Sequence, residues 1–169
     1  RVDLAFEAAF ARSSTWAEYT EFIGADDLPI EHETTFLRVP VTMSVRYFLK
    51  DRGREIGNLS WIPTTWAPYV GVGGGRMYYE FEQVGEFIDF DFPEELPIVR
   101  SQTFSGGWAW VGHAFGGLQW ALSPQWVLMA EARYSLAETD LDRGPGGYQL
   151  FDPIDLSGFH GTVGFGIRF

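Results

Sequence analysis

The side chains able to do chemistry in this chain are three histidines, a large excess of carboxylates and a scatter of serines, with no cysteine among them. Nucleophilic catalysis needs a hydroxyl, a histidine and an acid within hydrogen-bond reach of one another. His32, between Glu31 and Glu33, is the histidine best placed to meet them, with Ser13 or Ser14 as the hydroxyl at the rim of the same outer region. A solvated histidine in a polar segment is the plainer reading. Without cysteine there is neither a disulfide framework nor a thiolate metal site. The acidic segments also lack the alternating Asp/Asn spacing, central Gly and terminal Glu of a dedicated calcium loop, so no metal is expected. The run PYVGVGGG, Pro68 to Gly75, is as glycine-rich as a phosphate loop, yet no helical pattern follows and no Gly-Lys-Ser/Thr closes it. No cofactor is expected, and a net charge of -11 argues against nucleic acid, whose binding rests on basic patches.

A second kind of chemistry comes from charges set at alternate positions opposite greasy rows. Counting back in twos, Phe169, Ile167, Phe165, Val163, Gly161 and Phe159 share one face of the last stretch, and Arg168, Gly166, Gly164, Thr162, His160 and Gly158 share the other. Thr35 to Lys50 alternates most cleanly, with Leu37 through Leu49 in an apolar row against Arg38 and Arg46. Period-two patterning marks strands. The same reading predicts strands at Val2 to Ser14, Trp66 to Glu82, Gly107 to Ala121, Trp126 to Ala137 and Leu156 to Phe169. It places Glu7, Arg38, Arg46, Gln119, Glu131, Arg133 and Arg168 on the polar faces, with His113, His160 and Thr162. Pro40 predicts a local irregularity, because it cannot donate to a ladder.

Which face meets water decides the fold. A soluble barrel with its apolar face inward needs a hydrated exterior, usually rich in lysine, but Lys50 is the only lysine beside eleven arginines. No window approaches the ~20 apolar residues of a spanning helix. Aromatic residues make up 17% of the chain, and Trp66, Trp120, Trp126 and Phe169 fall near strand ends, as an aromatic girdle requires. Three long acidic connectors, Thr15 to Thr34, Gln83 to Ser101 and Glu138 to Asp155, alternate with the shorter Asp51 to Thr65 and Leu122 to Gln125. The expected fold is all-β: an up-and-down antiparallel transmembrane β-barrel with long loops at one end and short turns at the other. Six strands are visible, whereas ~8 is the smallest usual number, so two more are expected before Arg1.

The residues also resemble a known family. GGLQWALSPQWVLMAEARYSL, Gly116 to Leu136, resembles the hairpin of the sixth and seventh strands of OmpA-like outer-membrane barrels. FEAAF (Phe6 to Phe10), VPVTMSVRYFL (Val39 to Leu49), PYVGVGGG and the terminal VGFGIRF are similar to that family's third, fourth, fifth and eighth strands. The resemblance covers every strand and none of the loops. It implies an eight-stranded barrel in a bacterial outer membrane, contact with lipid and lipopolysaccharide, and a terminal strand whose Phe165, Ile167 and Phe169 are the recognition signal for the assembly machinery. It also implies a lumen plugged by charge pairs. Glu7 and Glu131 match acidic lumen positions, while Ser44 and Met129 replace expected bases and Gln119 an expected acid.

The resulting expectation is a monomeric outer-membrane barrel without catalysis, in a structural or surface-interaction role, its lumen closed by charged side chains. The alternatives are a lipid A-modifying enzyme, a narrow gated pore, and a soluble lipocalin-like binder with the opposite sidedness.

Overall fold

The computed structural model describes residues 1–24, 27–56, 60–88, 97–141 and 153–168, apart from the side chains of residues 20–22 and 60. These form ten strands and no helix: β1 (Val2–Ala8), β2 (Ala11–Ile23), β3 (Pro29–Phe48), β4 (Gly53–Ile56), β5 (Ser60–Pro63), β6 (Trp66–Ile88), β7 (Ile98–Ala121), β8 (Trp126–Thr139), β9 (Ile154–Asp155) and β10 (Gly158–Ile167). The main sheet runs β1-β3-β6-β7-β8-β10 with every pairing antiparallel, β2 continuing β1 along β3 and β9 beside the end of β8. Among the described residues β1 and β10 do not pair with each other, so the sheet is a curled wall with two edges.

The strand expected from Val2 to Ser14 is divided by Pro40 on its neighbour. Ala9 donates its N–H to the Pro40 carbonyl at 3.1 Å, but Pro40 has no N–H to return. β1 therefore stops at Ala8 and β2 starts at Ala11, with the register intact: Ala8 faces Val41 and Ala11 faces Arg38.

Two stretches expected as loops are largely strand. β2 runs to Ile23 and β3 begins at Pro29, while β6 continues to Ile88 and β7 begins at Ile98. The carboxylates there read as loop, yet they alternate with apolar residues: Glu31, Glu33, Glu80 and Glu82 stand on the outer face while Ile30, Phe36 and Phe81 turn inward, and the backbone ladder between antiparallel strands does not depend on side-chain polarity. At the opposite, lower end the Asp51 to Thr65 connector folds into the hairpin β4–β5. Nearby, the Leu122 to Gln125 turn is closed by Leu122 N–H donating to the Trp126 carbonyl at 2.9 Å and Trp126 N–H donating to Ser123 Oγ at 3.0 Å. Arg1 beside Asp51 holds that exposed carboxyl below its ordinary pKa range. The tip Gly144 to Gly147, Phe90, Phe92, Tyr148, Phe151 and Phe169 lie outside the described residues.

The two faces of the sheet differ in an unusual sense. Ser44, Thr42, His113 and Gln119 are buried on the inner face, where they stand beside Phe48, Tyr69 and Phe115. Outside, Phe6 is 80% exposed and Trp110 and Val163 are each 72% exposed, in company with Leu4, Val41, Met43, Val45, Val72 and Leu136. The outer face also carries two cross-strand aromatic pairs, Trp66 opposite Trp120 and Tyr78 opposite Trp108, twelve residues apart on both β6 and β7. At ~3.3 Å per residue and a tilt of ~40°, that spacing corresponds to a band ~30 Å tall.

Glycine makes room on the inner face. A Cβ on Gly73 would lie 2.5 Å from His113 Nε2, one on Gly71 would enter the Phe115 ring, and one on Gly75 would meet the Val41 carbonyl. PYVGVGGG is strand, and its glycines let large neighbours cross the interior.

Candidate functional site: an ion-pair quartet on the inner wall

Alternation along β1, β3 and β8 turns Glu7, Arg46, Glu131 and Arg133 to the same inner face, and curvature brings them into one cluster. Arg133 Nη2 lies 2.6 Å from Glu7 Oε2 and 2.7 Å from Glu131 Oε1; Arg46 Nη2 lies 3.6 Å from Glu7 Oε1 and 3.4 Å from Glu131 Oε2. Each base thus touches each acid, and the four formal charges cancel. Glu131 is the hub: besides both arginines it accepts a hydrogen bond from the Tyr69 hydroxyl at 3.0 Å, and its side chain is only 11% exposed. The guanidinium carbons sit over rings, Arg46 4.7 Å from Tyr69 and Arg133 5.0 Å from Phe115. These contacts replace part of the hydration that two buried cations lose.

The quartet also reports how tightly the wall curls. Glu7 on β1 and Arg133 on β8 are separated by four inter-strand steps through β3, β6 and β7. A flat sheet would hold their backbones ~19 Å apart, beyond what the two side chains bridge together. Their 2.6 Å contact therefore requires the sheet to wrap through much of a small cylinder. Apolar clusters flank the charged cluster: Phe48, Ala67, Tyr69 and Phe115 towards the lower end, and Met77, Tyr79, Ala109, Val111, Ala137, Leu141 and Leu156 towards the upper. A cavity of about 340 Å³ remains beside the quartet, with His113, His160 and Thr162 in its lining.

The other residues singled out by the sequence fall elsewhere. Arg38 lies 5.2 Å from the Phe36 ring centre, outside the quartet. Gln119 is buried with its Oε1 unpartnered, and Arg168 stands beyond β10 at the lower end, 4.9 Å from the Trp61 ring centre. Phe165 and Ile167 point outward from β10, both exposed. The quartet members were visible from parity alone. Tyr69 and the pair Ser44 Oγ to His113 Nε2, at 2.9 Å, were not anticipated. Their signal was the row of inward glycines, whose missing volume has to be filled from facing strands.

His32 sits between the Tyr19 and Phe87 rings, with centroids 5.6 and 5.3 Å away. Ser14 bonds instead to Glu33 and Thr35 on the other face of the strand, and Ser13 pairs with Phe36, two inward rows from His32. Among the described residues no group of three His, Cys, Asp or Glu is arranged to hold a metal ion. Ser44 is 1% exposed and so offers a substrate almost no access. Comparison with protein-family models, curated proteins and solved structures finds no match for the chain.

Proposed function

We propose that this chain forms the wall of a small outer-membrane β-barrel of the OmpA-like kind, with a structural or surface-interaction role and an interior closed by the Glu7–Arg46–Glu131–Arg133 quartet. The observation that carries the reading is the inverted sidedness: polar and charged groups inside, bulky apolar groups outside. In water such an exterior would be a continuous apolar patch far beyond the few hundred Å² that soluble monomers usually expose. In lipid it is the ordinary arrangement of a spanning barrel. A lipocalin-like binder would need Val41, Met43, Val45 and Tyr47 inside, and all four are exposed.

Two further observations support a membrane. The aromatic pairs bracket a band close to the ~30 Å hydrocarbon thickness, and Lys50 Nζ sits 3.4 Å from the Trp66 ring centre at its lower limit, where interfacial cations and tryptophans gather. Above the upper pair, the β2–β3 and β6–β7 extensions rise clear of the band as paired strands, a platform for surface contact. An unpaired strand edge is prohibitively costly in hydrocarbon, so the reading requires the edges at β1 and β10 to be paired in the membrane.

The test is folding in the presence and absence of amphiphile. Diluted from denaturant into detergent micelles or phospholipid vesicles, the chain is expected to give a β-rich circular dichroism spectrum and a gel mobility that changes on heating. In buffer alone it is expected to aggregate. A monodisperse folded monomer in buffer without amphiphile would rule the membrane reading out.

A further inference from the structure

We propose that the lower mouth of the wall is a binding site for an oxyanion, a phosphate or carboxylate group, gripped by Arg168 with Arg52 and Trp61 beside it. The site depends on the local fold around β4, β5 and the end of β10, and goes beyond the membrane reading.

The mouth is a cavity of about 980 Å³ whose lining includes Arg1, Asp51, Arg52, Trp61 and Arg168. Its charge runs against the rest of the chain. Its lining carries three arginines, Arg1, Arg52 and Arg168, against the carboxylate of Asp51, with Asp3 bonded to Arg52 from beside it, in a protein whose net charge is -11. The pairing of those cations is uneven. Arg1 forms a two-bond fork with Asp51 at 2.7 and 2.8 Å, and Arg52 forms another with Asp3 at 2.7 and 2.8 Å. Arg168 has no carboxylate partner among the described residues, and its Nη1 is shut off from solvent without an acceptor.

A guanidinium on a cavity wall without a carboxylate partner can give its open N–H groups to an incoming oxyanion as charge-assisted bonds. The planar fork favours an oxyanion with two oxygens to offer, which is the geometry of phosphate and carboxylate. The hairpin holds that fork in place. Trp61 lies under the Arg168 guanidinium, and the ring packs so closely on Gly53 that any Cβ there would enter it. The Arg52 fork is tied to Asp3 and its guanidinium lies 4.6 Å from the Phe48 ring centre, so a second cation is fixed on the same cavity. The oxyanion has two possible sources, a phospholipid headgroup at the rim or a soluble anion, and the shared chemistry does not separate them.

The test uses the full chain folded in zwitterionic micelles and inorganic phosphate as the probe, followed by the ³¹P line width. Wild type is expected to broaden the line saturably, Arg168→Gln to weaken the affinity at least tenfold, and Arg168→Lys to retain part of it, since charge remains while the fork is lost. Arg12→Gln, at the other end of the wall, is expected to bind like wild type. Phosphatidylglycerol added to the micelles and soluble glycerol phosphate are then compared as competitors. Displacement by the lipid alone assigns the site to a headgroup, and equal displacement by glycerol phosphate assigns it to a soluble anion. Absence of saturable binding to wild type, or equal binding by wild type and Arg168→Gln, overturns the proposal. If Arg168→Gln does not fold, Trp61→Leu decides: unchanged phosphate affinity in that variant likewise overturns it. Heat-sensitive gel mobility is scored on each sample, so loss of phosphate binding with the barrel intact leaves the membrane reading standing.

Discussion

Replacing Glu131 with leucine is expected to lower unfolding stability by about 3–5 kcal/mol, the range for breaking a buried ion pair from one side. Glu131 receives hydrogen bonds from Tyr69, Arg46 and Arg133, the last through both Nε at 3.1 Å and Nη2 at 2.7 Å. Its loss would leave two guanidinium groups facing Glu7 alone, against the Phe115 and Tyr69 rings. Removing Arg133 as well, in Glu131→Leu/Arg133→Leu, is expected to return part of that loss, because one cation then remains for the one acid, and the leucines pack beside rings. The two single variants should therefore be non-additive, with a coupling of about 1–3 kcal/mol. Urea unfolding in micelles, followed by tryptophan fluorescence, measures it. Unchanged midpoints after neutralising each of the four residues in turn would show that the quartet does not hold the wall.

Gly75→Val is expected to be comparably damaging, by about 3 kcal/mol or more, or to prevent folding outright. The clash falls on backbone, where the Val41 carbonyl and Thr42 Cα stand in the way, and strand pairing would have to shift to relieve it. Gly112, Gly161 and Gly164 have no heavy atom within 4 Å of an added Cβ. Alanine at those three positions is therefore expected to change stability by no more than ~0.5 kcal/mol. The contrast separates glycines that admit neighbours from glycines that only lighten a wall. Equal effects at Gly75 and Gly112 would mean that the inner face is not packed as described.

How much of this was legible in the sequence follows from what each signal measures. Period-two patterning reports a difference in environment between two faces, so it found β3, β6, β7, β8, β10 and, as one strand, β1 with the start of β2, and it put Glu7, Arg46, Glu131 and Arg133 on one side. Above the pair Tyr78 and Trp108 the contrast changes sense, with Glu31, Glu33, Glu80 and Glu82 outside and Ile30, Phe36 and Phe81 inside, so the acidic ends of β2, β3, β6 and β7 read as loop although they are strand, paired except for a register break in β2 between Glu18 and Ile23. The β4–β5 hairpin was hidden for a different reason: four-residue strands are too short to show a period. Parity also cannot say how far a side chain reaches. It grouped Arg38, Gln119 and Arg168 with the quartet because they share a face, but their positions along the strands leave Arg38 beside Phe36 and Arg168 at the lower mouth. The cavity-side pair Ser44 and His113 required the register between β3, β6 and β7, which places both opposite Gly73.

The most direct test of the inverted sidedness uses single thiol probes, which are unique in a chain without cysteine. Val45→Cys places a fluorophore on the exposed outer face and Ser135→Cys places one on the lining of the inner cavity. In phospholipid vesicles, quenching of the Val45 probe by lipid-borne nitroxide, with the Ser135 probe unaffected, is the predicted result. A Val45 probe quenched only by water-soluble agents and silent to the lipid-borne quencher would contradict the membrane barrel.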